Sequence, residues 1–149
     1  MPEPQKTVYV DGEVSSQVLS VISEAQKYVV VVTPYIDLWQ HAENAIALSV
    51  SKGIDVTFVV RDEPNIVGSE SIAWLLQNKV KVHAAPRLHA KIYLNEASVL
   101  VSSMNLLKSS AQNSLEIALA IRDKEVAESI RGYVRNTLMR LAASVKGMK

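Results

Sequence analysis

Tyr28-Val-Val-Val-Val32 is an apolar run too short for a helix and almost wholly β-branched. A strand without polar alternation cannot leave a face in water, so the chain around it has to supply cover on both sides of a sheet. The neighbouring spacings provide that cover. Thr7 to Val10 reads as a short strand ending at Asp11-Gly12, followed by Val14, Val18, Ile22 and Ala25 at helical spacing as far as Lys27. Thr33-Pro34-Tyr35 ends the central strand. A helix from about Leu38 to Lys52 follows, with Ala42, Ala45, Ile46 and Ser49 inward and Gly53 just past its end.

The rhythm then recurs: a strand over Ile54 to Val60, a helix capped by Ser69 with Ile72, Leu75 and Leu76 inward, and a strand over Lys79 to His83. Strand, helix and strand in this order predict an α/β fold with a mixed, largely parallel sheet and helices on both faces. Leu115 to Ile121 adds a strand. Asp123 caps a final helix whose Val126, Ile130, Tyr133, Val134, Thr137, Leu138, Leu141 and Val145 form one apolar stripe.

At 149 residues, 48% hydrophobic and 21% charged, the chain fits a single domain over 1–149, with no linker, repeat or low-complexity tract. The absence of cysteine excludes disulfides, thiolate zinc sites and a cysteine nucleophile, and suits a reducing compartment. Met1 to Lys6 lacks the apolar core of a signal peptide and no run is long enough to span a bilayer. A cytoplasmic protein without stable membrane association is expected, unless a leader once preceded it. The net charge of +1 says little about partners, yet Lys79, Lys81, Arg87, Lys91 and Lys108 cluster in sequence, with no acid from Lys79 through Lys91.

That basic stretch contains the residues with the most chemistry. In His89-Ala90-Lys91 the period of a strand throws the imidazole and the ammonium to one face. Tyr93 and Leu94 continue the strand, Asn95-Glu96 supply a turn, and Val99-Leu100-Val101 lead back alongside. Such a hairpin carries Ser103 and Asn105 to the end where His89 began. A base or nucleophile beside cationic and neutral donors suits a phosphoryl group. A lone strand histidine is more often structural than catalytic; its four companions at this spacing favour function.

The stretch resembles the phospholipase D superfamily, whose signature is His-x-Lys, four residues, Asp, six residues, Gly-Ser, with Asn shortly after. His89, Lys91, Ser103 and Asn105 match. Glu116, opening the apolar run to Ile121, is similar to the family's acid that orients the histidine. Glu96 stands where the family has Asp, Ser102 replaces Gly, and five residues rather than six separate them. Glu96 itself reads as a turn acid. The resemblance implies a homodimer, because the family uses two copies of His-x-Lys and this chain has one.

It further implies metal-independent phosphodiester chemistry without a cofactor: His89 as nucleophile, Lys91, Asn105 and Ser103 on the phosphate oxygens, Glu116 holding the imidazole tautomer. Short length and a single motif favour a nuclease on DNA or RNA, resembling the small dimeric endonucleases. A phospholipid phosphodiesterase or phosphatidyltransferase is the enzymatic alternative, and a non-cleaving nucleic-acid-binding module the alternative from another class. Tyr35, at a strand end where open α/β sheets place ligands, is equally a turn residue and a substrate contact. His41-Ala-Glu43 lacks the cysteines of a zinc deaminase site. His83 reads as strand-end packing.

Overall fold

In the computed structural model, which describes residues 6–147, Tyr28–Val32 is an inner strand with sheet neighbours on both sides, as its composition demands. The elements in chain order are β1 (Val8–Val10), α1 (Gly12–Ser23), β2 (Tyr28–Val32), β3 (Ile36–Asp37), α2 (Gln40–Ser51), β4 (Asp55–Arg61), α3 (Pro64–Val67), α4 (Glu70–Gln77) and β5 (Lys81–Ala85). Then come β6 (Ile92–Asn95), β7 (Val99–Ser102), β8 (Leu106–Leu107), α5 (Lys108–Asn113), β9 (Ile117–Ala120) and α6 (Lys124–Tyr133). A π-helical turn (Val134–Leu138), α7 (Met139–Leu141) and β10 (Ala143–Val145) close the described chain.

Eight strands form one sheet in the order β1-β9-β7-β6-β2-β4-β5-β10, and β3 pairs with β8 in a small parallel ribbon at its rim. The sheet is mixed, but the largely parallel character expected of it holds only where the βαβ rhythm was read. β2 pairs parallel with β4, and β4 with β5. Every other neighbouring pair in this sheet is antiparallel. The connections differ accordingly: the tight β6–β7 turn returns the chain to the adjacent, reversed position, β7 and β9 are joined by a longer excursion through β8 and α5 that also comes back reversed, and the parallel pairs are those joined by helical crossovers through α2 and through α3 and α4.

Helices do cover both faces. Val29, Val31, Phe58, Val60 and Tyr93 pack toward α1, α2 and α4 through Val18, Ile22, Ile46, Ile72 and Leu75. Val32, Val59, Ile92, Leu94 and Val99 pack toward the last helix through Ala127, Val134 and Leu138. Local signals set the helix ends. Ser69 Oγ accepts from Ile72 N–H at 3.4 Å and Asp123 Oδ1 from Val126 N–H at 3.0 Å. Gly53, at φ +81°, takes the left-handed conformation that lets the chain turn from α2 into β4.

The last helix departs from the single stripe that spacing predicts. Val126 and Tyr133, on α6 ahead of the π turn, are exposed while Ala127 is buried; within the π turn, whose angular step differs, Val134 and Leu138 are buried, and Leu141 past it is exposed. Val145 is not helical at all; it pairs with Val82 as β10 runs antiparallel to β5. That pairing satisfies backbone groups along the outer edge of β5, a gain invisible to helical periodicity.

Candidate active site

The two arms of the motif meet as a hairpin. Ile92 faces Val101, Tyr93 faces Leu100 and Leu94 faces Val99, and the backbone ladder extends one step further through Ser102 N–H to Lys91 C=O at 3.1 Å. His89 and Lys91 therefore lie just before β6, while Ser103 and Asn105 lie just past β7, all at one end of the sheet. It is the end where the parallel strands finish, since Val32 pairs with Ile92. His89 is exposed and Lys91 half-buried on the extended segment entering β6.

Glu116 joins them from β9. Ser103 Oγ donates to Glu116 Oε2, and the same hydroxyl accepts from Ile117 N–H at 3.1 Å, while Ser103 N–H donates to Ile117 C=O at 3.0 Å. Asp11 holds the Glu116 backbone from the other side: its Oδ1 accepts Glu116 N–H at 3.0 Å, and its N–H donates to Glu116 C=O at 2.8 Å. Among the described residues no hydrogen bond joins Glu116 to His89; its carboxylate bonds Ser103. Ser102, at the glycine position of the signature, accepts from Met104 N–H at 2.9 Å through its Oγ and tightens the same turn.

Asn105 is reached from a third direction. Its Oδ1 accepts Tyr35 N–H at 3.3 Å, so the structure brings Tyr35 to the site through its main chain, with the ring partly exposed. Three residues position this end: Thr33, read from the sequence as part of the strand-ending Thr33-Pro34-Tyr35 turn, and Tyr93 and Asp11, read only as strand and strand-end residues. Buried Thr33 accepts from Leu106 N–H at 2.9 Å and donates to Tyr35 C=O at 2.7 Å, stitching the end of β2 to the segment carrying Asn105. Tyr93, fully buried, donates its hydroxyl to Met104 C=O at 2.7 Å, between Ser103 and Asn105. Burial first, and the nearby Glu116 charge, push the Tyr93 phenol above its ordinary range despite a hydrogen bond with Thr33, so it stays a neutral donor. Asp11 is the third. An apolar strand containing one tyrosine, and a Thr or Asp at a strand end, were the available signals.

Glu96 is far from this chemistry. It sits past the other end of β6, where its Oε1 accepts Gln26, Lys27 and Tyr28 N–H at 2.9, 2.7 and 3.3 Å and anchors the start of β2. Partial burial raises its pKa, but those backbone donors outweigh burial and hold it below the ordinary carboxylate value. Asn95 shapes the same turn, its Oδ1 accepting Ala97 and Ser98 N–H at 2.8 Å each.

The basic cluster read from the sequence is dispersed. Lys79 and Lys81 precede and open β5, a strand of five residues, about 16 Å, away from the site end, and Lys81 pairs with Asp55 at 3.2 Å. Arg87, Lys91 and Lys108 belong to the site end. His83 is half-buried within β5, where burial first and then Lys81 lower its pKa, and His41 is exposed on α2. No group of three metal-ligating side chains occurs among the described residues, and no described helix is long and apolar enough to cross a membrane.

Comparisons with known proteins bear on the fold and the family. No curated protein sequence matches the chain significantly. Nuc from Salmonella typhimurium, described as a phospholipase D family member, superposes with TM-score 0.79 at 20% identity, covering 95% of this chain and 99% of that one. NucT from Helicobacter pylori gives TM-score 0.79 at 18% identity over 93% and 97%. Phosphatidylserine synthase from Haemophilus influenzae gives TM-score 0.76 at 14% identity, over all of this chain and 41% of that one. The family model described as cardiolipin synthase, phospholipase D-like domain, matches residues 18–138. With most of its length matched by that model and its fold shared with Nuc and NucT, this chain belongs to the phospholipase D superfamily, whose chemistry is cleavage or transfer of phosphodiesters.

Proposed function

We propose that the protein is a metal-independent phosphodiesterase, a nuclease cutting DNA or RNA through a phosphohistidine on His89, with its site completed by a second copy. The observation that carries this reading is the meeting of His89, Lys91, Asn105 and the Ser103–Glu116 pair at one end of the sheet.

Neutral His89 attacks phosphorus, forming an N–P bond as the P–O bond to the leaving group breaks. Protonated His89 of the second copy supplies the proton to the departing oxygen. Water then displaces the first histidine with the roles reversed. Lys91 and the Asn105 amide act on the equatorial oxygens, where losing one donor costs on the order of a hundredfold or more, and Ser103, whose one hydroxyl proton goes to Glu116, holds that acid in place. Glu116 accepts the Ser103 hydroxyl hydrogen bond on Oε2 and keeps Oε1 for an imidazole N–H, fixing the tautomer as a carboxylate does in a serine triad.

An apolar surface beside Glu116 supports the second copy. Val8 and Val10 of β1 face Leu119 and Ile117 of β9, all four are about half exposed, and Leu115 is 90% exposed. A contiguous group of this kind at a site edge suits an isologous contact.

Plasmid and single-stranded DNA incubated in excess EDTA test the reading, with His89→Ala beside the wild type. Wild-type cleavage that the folded mutant lacks is the expected result; no cleavage by either sinks the DNase claim. Two observations keep other readings specific. The fold occurs in phosphatidylserine synthase, so vesicle binding with headgroup exchange would favour the lipid enzyme. It also occurs, at TM-score 0.63 and 15% identity, in TrmBL2, an archaeal chromatin protein with its own mode of DNA binding. Salt-sensitive DNA retention without cutting would favour a binding module.

A further inference from the structure

Arg87 stands two residues before His89 in the turn Pro86–Arg87, between buried Ala85 and buried Leu88. The turn is pinned at its base, where Asp62 N–H donates to Ala85 C=O at 2.9 Å. Arg87 has φ +56°, in the left-handed region. A turn with proline at its first corner and positive φ at its second normally takes Gly or Asn there, because a larger side chain crowds the carbonyl. The chain thus accepts local strain to hold a guanidinium in solvent beside His89. That guanidinium makes no ion pair or hydrogen bond with any described residue, although Asp62 lies next to the turn. Arg61, at the end of neighbouring β4, is the contrast: its Nε bonds Glu63 at 2.8 Å.

We propose that Arg87 is a substrate-positioning residue that grips the phosphate next to the scissile one, so that the site reads a chain of phosphodiesters rather than a single headgroup. Two residues of chain separate the Cα atoms of Arg87 and His89 by at most about 7 Å, the order of the spacing between consecutive phosphates in an extended strand. The guanidinium fork accepts a phosphate bidentately. This inference rests on the reading of His89 as the reacting residue, and its test separates the two.

The variants are Arg87→Gly and Arg87→Lys, with His89→Ala as control. The probes are a fluorescent single-stranded 20-mer and bis(p-nitrophenyl) phosphate, which has no neighbouring phosphate. Glycine removes the strain and the cation together, so Tm is expected to rise by roughly 2 °C while affinity for the strand falls about tenfold. Its slope of log K against log salt becomes shallower by about 0.7. The loss of cleavage on the strand is expected to exceed the loss on the small diester by about tenfold, and lysine to retain part of the affinity.

Arg87→Gly binding the strand with wild-type affinity and salt slope overturns the proposal, as does equal loss of cleavage on both substrates, which marks the turn as support for the His89 loop. If the wild type hydrolyses neither substrate, the phosphodiesterase reading fails, and the salt slope still decides the role of Arg87.

Discussion

Replacing Glu96 by alanine removes an anchor at the end of the sheet opposite His89, and the structure sets the size of the effect. One carboxylate oxygen accepts three backbone N–H groups at 2.9, 2.7 and 3.3 Å. Hydrogen bonds to a charged acceptor contribute about 1.5–3 kcal/mol each. Here they share one oxygen, the third is long, and water reaches the site, so the total is taken as about 2 kcal/mol, discounted for solvent screening. Glu96→Ala should therefore lower Tm by roughly 4–8 °C in a chain of this size. Glu96→Gln, which keeps an acceptor and loses the charge, should lose about half as much.

The pH dependence follows from the direction of the shift. The folded pKa is depressed below the unfolded value, so the stability is fully present above about pH 4.3 and is lost as pH falls through the folded pKa. The Tm gap between wild type and Glu96→Ala should be full at pH 7 and close on acidification. Thermal unfolding by circular dichroism at pH 7 and pH 3, with phosphodiester hydrolysis at 25 °C, measures both terms. A Tm change under 1 °C, or loss of kcat with the fold intact, would refute the reasoning and return Glu96 to the chemistry.

Tyr93→Phe leaves the buried Met104 carbonyl without its donor. It should cost about 1–2 kcal/mol in urea unfolding and lower kcat about tenfold with little change in KM, since Ser103 and Asn105 flank that carbonyl. Ile117→Lys with Leu119→Lys puts charge on the exposed β9 face. The double variant should run as a folded monomer by light scattering and lose cleavage by on the order of a hundredfold; an active dimer would discard this surface. Ser103→Ala frees Glu116 Oε2. A pH–rate profile whose histidine limbs move, beyond a fall in rate, is expected if Glu116 orients an imidazole.

Much of this was legible locally. Tyr28–Val32 is an inner strand because nothing in it tolerates water, the hairpin after His89 follows its turn residues, and Ser69 and Asp123 cap as their chemistry requires. The spacing of His89, Lys91, Ser103 and Asn105 reports a hairpin register, and register is a property of consecutive residues. Strand order, direction and distance between ends are set by contacts far apart in sequence. Hence the antiparallel pairings other than the β6–β7 hairpin, the π turn and β10 went unread, and Lys79 and Lys81 proved to lie a strand's length from the site. Glu96 belongs to the same class, because its partners are Gln26, Lys27 and Tyr28, some 70 residues earlier. The sequence determined which side chains are candidates for phosphate chemistry; tertiary structure alone decided which of them share an end of the sheet, since only packing converts separation along the chain into distance.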